Sequence, residues 1–95
     1  MMCGGKGQVN QANDEIVEIV NNVRSQVESQ TNSTYTVYEP VSFRSQVVAG
    51  TNFFVKVRVD GDQYIHLRIF RALPCNGGSL EVNQVTTGHT LESDL

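Results

Sequence analysis

The chain has 95 residues, of which 39% are hydrophobic and 18% charged, with a net charge of −3. That apolar content supports a compact core and is too high for a disordered chain, while the acidic balance and the lack of a basic patch argue against nucleic acid as a partner. A core of this size leaves little room for a deep enclosed active site, so function is expected on an edge or a surface.

Residues 1–11 hold three of the eight glycines and show no periodicity, which predicts a flexible, extended trunk. Met1-Met2-Cys3-Gly4-Gly5-Lys6 lacks the apolar centre of a signal peptide, and no glycine follows the initiator Met to take a myristoyl group. No apolar run approaches the ~20 residues that span a bilayer. The expected location is cytoplasmic, with the nucleus as a second compartment, and no membrane partner is expected. A helix is predicted over 13–30, where Ile16, Ile19, Val20, Val23 and Val27 fall on one stripe. Asn13 is its expected N-cap, with Asp14 and Glu15 in the first turn. Glu15, Glu18, Asn22 and Gln26 lie off the stripe. A helix this rich in β-branched residues needs a sheet to pack on.

After a polar loop at 30–34, an extended segment over about 35–47 carries Val37, Val41, Phe43 and Val47 at even spacing. Pro40 interrupts it and predicts an edge strand or a bulge. Gln46-Val47-Val48-Ala49-Gly50 then ends an apolar run in glycine, as a hairpin tip would. Turns normally carry Asn, Asp, Ser, Gly or Pro, so an apolar tip must either fold onto its own core or await a partner. Residues 51–59 alternate cleanly, with Phe53, Val55, Val57 and Val59 on one face and Asn52, Phe54, Lys56 and Arg58 on the other. Asp60-Gly61 signals a second hairpin. Its return strand, about 63–72, sets Ile65, Leu67 and Ile69 opposite Tyr64, His66, Arg68 and Phe70. The basic residues Arg44, Lys56, Arg58, Arg68 and Arg71, and the His66 imidazole, are expected on solvated strand faces. Leu73-Pro74-Cys75-Asn76-Gly77-Gly78 forms another turn with an apolar start. A weaker strand follows over about 79–87, where the uneven step from Val82 to Val85 suggests a bulge. The tail from Gly88 is polar.

These elements make one domain over residues 1–95, of α+β class: one long helix packed across an antiparallel meander sheet of four to five strands. In a meander, alternate turns lie at the same end. The turns at 46–50 and 73–78 therefore sit side by side as one projecting apolar patch, which favours a partner over folding back. The chemistry of an enzyme is missing. No nucleophile–base pair or phosphate-binding glycine loop is evident, and no cofactor or metal is called for. Cys3 and Cys75 form no CxxC pair and read as free thiols.

The residues Gln46-Val47-Val48-Ala49-Gly50 match the QxVxG signature of the cystatins. With Val41-Ser42-Phe43-Arg44-Ser45 before it, Thr51-Asn52-Phe53-Phe54 after it, Met1-Met2-Cys3-Gly4 at the start and Leu73-Pro74 in the second loop, the chain resembles the stefins, the intracellular type 1 branch. The resemblance implies a tight, reversible inhibitor of papain-like cysteine peptidases, the cathepsins included. It implies a wedge of three parts. Gly4, with Met2 and Cys3 in support, would lie on the unprimed side of the cleft. Gln46, Val47, Val48, Ala49 and Gly50 would sit centrally, and Leu73 and Pro74 on the primed side. Cys75 departs from the polar residue or glycine expected after Leu73-Pro74, and oxidation at Cys3 or Cys75 is expected to weaken inhibition. A monomer is expected, with strand exchange through the first hairpin as the route to a dimer. The alternative to inhibition is a non-inhibitory cytosolic binding module that uses the same apolar edge.

Overall fold

Asn13 starts the helical part of the chain: its Oδ1 accepts the Ile16 N–H at 2.9 Å, with Asp14 and Glu15 in the first turn. The computed structural model describes residues 7–73 and 77–95. Helix α1 spans Asp14–Asn22 and α2 spans Arg24–Thr31, so the single helix predicted over 13–30 is two helical segments broken at Val23. Val23 has φ −100° and ψ 6°, although its N–H still reaches the Ile19 carbonyl at 3.2 Å. The break falls on a β-branched residue, where helix propensity is low. The apolar stripe crosses it intact, since Ile16, Ile19, Val20, Val23 and Val27 are all at most 5% exposed.

Five antiparallel strands follow one another in the sheet as they do in the chain: β1 (Asn10–Gln11), β2 (Tyr38–Val48), β3 (Gly50–Val59), β4 (Gln63–Arg71) and β5 (Leu80–His89). The class is α+β, as expected. β1 lies within the stretch read as trunk. It pairs with Phe43 and Ser42 of β2, flanked by Gly7 N–H to Ser45 O at 2.8 Å and Ala12 N–H to Val41 O at 3.0 Å. Periodicity could not reveal a two-residue strand. It forms because the β2 edge would otherwise leave backbone donors and acceptors unpaired.

The inner sheet face carries Phe53, Val55, Val57 and Val59 of β3 and Ile65, Leu67 and Ile69 of β4, all buried beneath the helical stripe. Along the expected segment 35–47 the apolar face is only partly realised. Phe43 is buried, Val37 and Val41 are half-buried, and Val47 is exposed, while Tyr38 takes a core position instead. Val47 stays in phase with Phe43 and is exposed because it lies beyond the core; for Val37, Val41 and Tyr38 the reason is the predicted irregularity at Pro40. The register slips between Pro40 and Ser42, so residues on either side of the slip alternate out of phase and Tyr38 and Phe43 share one face. The Tyr38 hydroxyl donates to Val20 O at 3.0 Å, and burial pushes its phenol well above the ordinary range. The predicted bulge in β5 is also present, between the rungs Ile69–Val82 and Arg68–Gln84. At the Asp60-Gly61 turn both residues have positive φ, and Asp60 Oδ1 accepts the N–H groups of Thr36 and Val37 at 2.9 and 2.8 Å.

Gln26 and Gln30 tie α2 to the β5 edge. Gln26 Oε1 accepts Val82 N–H at 3.1 Å and Gln30 Nε2 donates to Val82 O at 2.8 Å. On the outer sheet face, Lys56 is not solvated as the alternation predicts; it is 4% exposed, because the C-terminal segment crosses over it. His66 is half-buried rather than solvated, its ring stacked on His89 with centroids 3.7 Å apart. Arg58 does stay at the surface, paired with Glu39 at 2.8 Å. Among the described residues, no helix is long and apolar enough to cross a membrane.

Candidate functional site

The first hairpin keeps its ladder to the tip. Gln46 stands opposite Asn52, Val47 opposite Thr51 and Val48 opposite Gly50, which leaves Ala49 alone at the bend. A reversal this tight holds its side chains out from the core. Val47 is 71% exposed and Val48 43%, and Ala49 is exposed. Gly50 has φ 126°, and a Cβ there would sit 2.6 Å from both Arg71 O and the Phe70 ring. Only glycine satisfies both the backbone angle and the space. Gln46 is half-buried and accepts a hydrogen bond on Oε1 from Asn52 Nδ2 at 3.0 Å, while Asn52 itself is buried. Gln46 therefore secures the base of the hairpin, and Val47, Val48 and Ala49 form its projecting surface.

The second apolar turn lies beside the first, as the meander predicts. Thr51 of β3 is the rung partner of Arg71, the last residue of β4. Beyond Arg71, Ala72 N–H donates to Ser79 O at 2.9 Å and Gly78 N–H to Leu73 O at 3.1 Å, closing the neck of the loop. Leu73 is 40% exposed. Thr51, Arg71, Ala72, Leu73, Gly77 and Gly78 line a recess between the two turns. Pro74 and Cys75 lie outside the described residues.

The trunk reaches the same end. β1 runs antiparallel to β2, and Gly7 meets Ser45, one residue before Gln46. Met2, Cys3 and Gly4 lie outside the described residues. Gln46, Val47, Val48, Ala49, Gly50 and Leu73 are thus gathered at one end of the sheet, next to the point where the trunk meets β2.

The charge at this end is arranged around the tip and not on it. No residue from Gln46 to Asn52 is ionisable. Arg71, on the rung with Thr51, pairs with Glu15 of α1 at 3.1 Å and lies 5.0 Å over the Phe53 ring. An uncharged apolar projection of this kind can fill a groove and exclude water from it. Two supporting residues escape a reading by alternation: Asn52, which holds Gln46, and Phe70, whose ring presses on Gly50. The first could have been found by counting rungs back from the tip. The second depends on the approach of β4 to β3, which alternation alone does not give.

A family model described as "Cystatin domain" matches residues 4–92 of the chain. The chain is 40% identical over 95 residues to "Cystatin-A" of Felis catus, covering all of this chain and 97% of that protein. It is 41% identical over 95 residues to "Cystatin-B" of Macaca fuscata fuscata, covering all of this chain and 97% of that one. It is also 41% identical over 95 residues to "Leukocyte cysteine proteinase inhibitor 1" of Sus scrofa, covering all of this chain and 92% of that protein.

Proposed function

The chain belongs to the cystatin family, and from that premise we propose that it is a tight, reversible inhibitor of papain-like cysteine peptidases, cathepsins among them. Its family is one of protease inhibitors and not of enzymes, and a relative over the whole chain carries the name of a cysteine proteinase inhibitor. The observation that carries the proposal is the exposure of Val47 and Val48, 71% and 43%, on a tip whose strands stay in register to the last rung.

A papain-like peptidase needs its thiolate to reach a substrate carbonyl, with a histidine beside it to manage the proton. A rigid apolar tip that seats in the cleft without offering such a carbonyl blocks that approach and is not cleaved. In this reading Gln46, Val47, Val48, Ala49 and Gly50 occupy the centre of the cleft. Leu73 and Pro74 lie on the primed side, and Gly4, supported by Met2 and Cys3, on the unprimed side. A fully exposed valine that leaves water contributes about 1.5–3 kcal/mol before the costs of association, and Val47 and Val48, already part-covered, contribute correspondingly less. The tight ladder and Gly50 keep those costs low, because the tip has little left to order on binding. The inhibitory unit is a single copy of the chain, and its place of action is the cytoplasm.

A titration tests the proposal. Fixed papain is mixed with rising amounts of the protein and residual activity is recorded. Activity should fall in proportion to added protein and reach its floor near one equivalent. Papain that stays fully active at excess protein would overturn inhibition and leave a non-inhibitory binding module using the same edge.

A further inference from the structure

β5 ends at His89, and the chain then folds back over the outer face of the sheet. A turn at 90–93 is closed by Ser93 N–H to Thr90 O at 3.1 Å and by Thr90 N–H to Ser93 Oγ at 3.0 Å. The turn presents two backbone carbonyls, Leu91 O and Ser93 O, to the Lys56 ammonium, which donates to both, the second at 2.7 Å. Burying an ammonium is costly unless its donors are met, and here the tail meets two of the three. Past that point Leu95 joins Gln46, Phe54, His66, Arg68 and Gln84 in lining one trough on the outer face.

The register gives the direction of travel. His89 stands level with Tyr64, near the Asp60-Gly61 turn. Lys56 lies on the rung with Ser42 and His66, in the middle of the sheet. Phe54 lies one outer-face rung closer to the first hairpin, with Arg44 and Arg68 beside it, and Gln46 and Asn52 lie on the next. The tail therefore starts at the end of the sheet away from the apolar tip and finishes in the trough that Gln46, the residue holding the base of that tip, also lines.

We propose that residues 90–95 form a latch on the outer sheet face, with Lys56 as the positioning residue that closes it, and that the latch stiffens the first hairpin through the trough shared by Leu95 and Gln46. Its significance for binding rests on the inhibitory reading above: a braced tip enters a cleft with less to order. The latch itself does not depend on that reading.

Three variants test it: Lys56→Met, Lys56→Arg, and a chain lacking residues 91–95. Met fills much of the lysine's space without needing the carbonyls, and exchanging a buried charge for an apolar side chain is often neutral or stabilising, so this variant should fold. Amide hydrogen exchange in the free protein is the primary readout, with Tm and the papain dissociation constant beside it. In Lys56→Met and in the truncated chain, exchange should rise on the order of tenfold at residues 46–52 and stay unchanged in the helical segments, with Tm nearly unaltered. The dissociation constant should rise on the order of tenfold in parallel. Lys56→Arg, which still donates to carbonyls, should restore most of the protection. Unchanged exchange at 46–52 after the tail is cut would overturn the coupling. A rise spread evenly over helix and hairpin would also overturn it, since that is global destabilisation. A wild-type protein that leaves papain active would defeat only the inhibitory reading, because the exchange measurement needs no enzyme.

Discussion

Val55 and Val57 have no exposed surface, whereas Val47 and Val48, in the same two-stranded ribbon, are 71% and 43% exposed. The side-chain type is the same; what differs is whether the helical stripe covers it. The β2–β3 ribbon projects beyond the core, and past Phe53 it is held by ladder hydrogen bonds, the Gln46–Asn52 pair and the close packing of Phe70 on Gly50. The core valines hold the fold together by burial. The tip valines contribute little to it in the free protein, so their apolar area stays available to a partner. On the proposed reading, one ribbon separates stability from recognition along its length.

Perturbing each end should give opposite signatures. The largest effect is expected for Val48→Asp, which would bury an unpaired carboxylate in the complex. The papain dissociation constant should rise by at least ~100-fold while Tm moves little. A large fall in Tm would show that the tip does belong to the core. Gly50→Ala should damage both properties, because the new Cβ meets Arg71 O and Phe70 in a left-handed backbone. We expect a loss of about 2–3 kcal/mol in denaturant unfolding together with weaker inhibition. Val57→Ala is the mirror of Val48→Asp: it should cost about 2 kcal/mol of stability by leaving a cavity and leave inhibition at saturating folded protein unchanged. Removal of residues 1–5 should act mainly on the complex, raising the dissociation rate roughly tenfold with association little altered, because a trunk contact is made late. Stopped-flow rates that show mainly slower association would contradict this.

The smallest effect concerns the far end of the helical part, where pH supplies the perturbation. Glu28 accepts the Tyr35 N–H at 3.0 Å and pairs with Arg24, which hold its carboxylate below the ordinary value of 4.5, the Tyr35 bond foremost. Below 4.5 the unfolded chain takes up this proton more readily than the folded one. The stabilisation is therefore fully present above the unfolded value and is lost as pH falls through the folded one. Glu28→Gln should lower Tm slightly at neutral pH and flatten its fall in acid. An acid limb of unchanged slope would show that Glu28 does not contribute to it.

Much of the fold was legible because its signals are local. The stripe from Ile16 to Val27, the alternation from Phe53 to Val59, the Asp60-Gly61 turn and the Pro40 slip each follow from a few neighbouring residues. The candidate edge was legible in outline too, since counting turns in a meander puts Val48 and Leu73 at one end. Lys56 and His66 were misread because alternation says only which face a residue takes. What lies over that face is decided by residues more than twenty positions away.

The amino-acid sequence by itself determined the α+β layering and the apolar character of a first tip that ends in Gly50, because periodicity and turn chemistry act over a few residues. Only the tertiary structure decided that β1 would close the β2 edge, that Gln46 would hold Asn52, and that Phe70 would press on Gly50. It also decided that the tail would return to satisfy Lys56. Each of these joins backbone or polar groups that are satisfied only when distant segments meet, so their strength resides in the assembled sheet and not in any one strand.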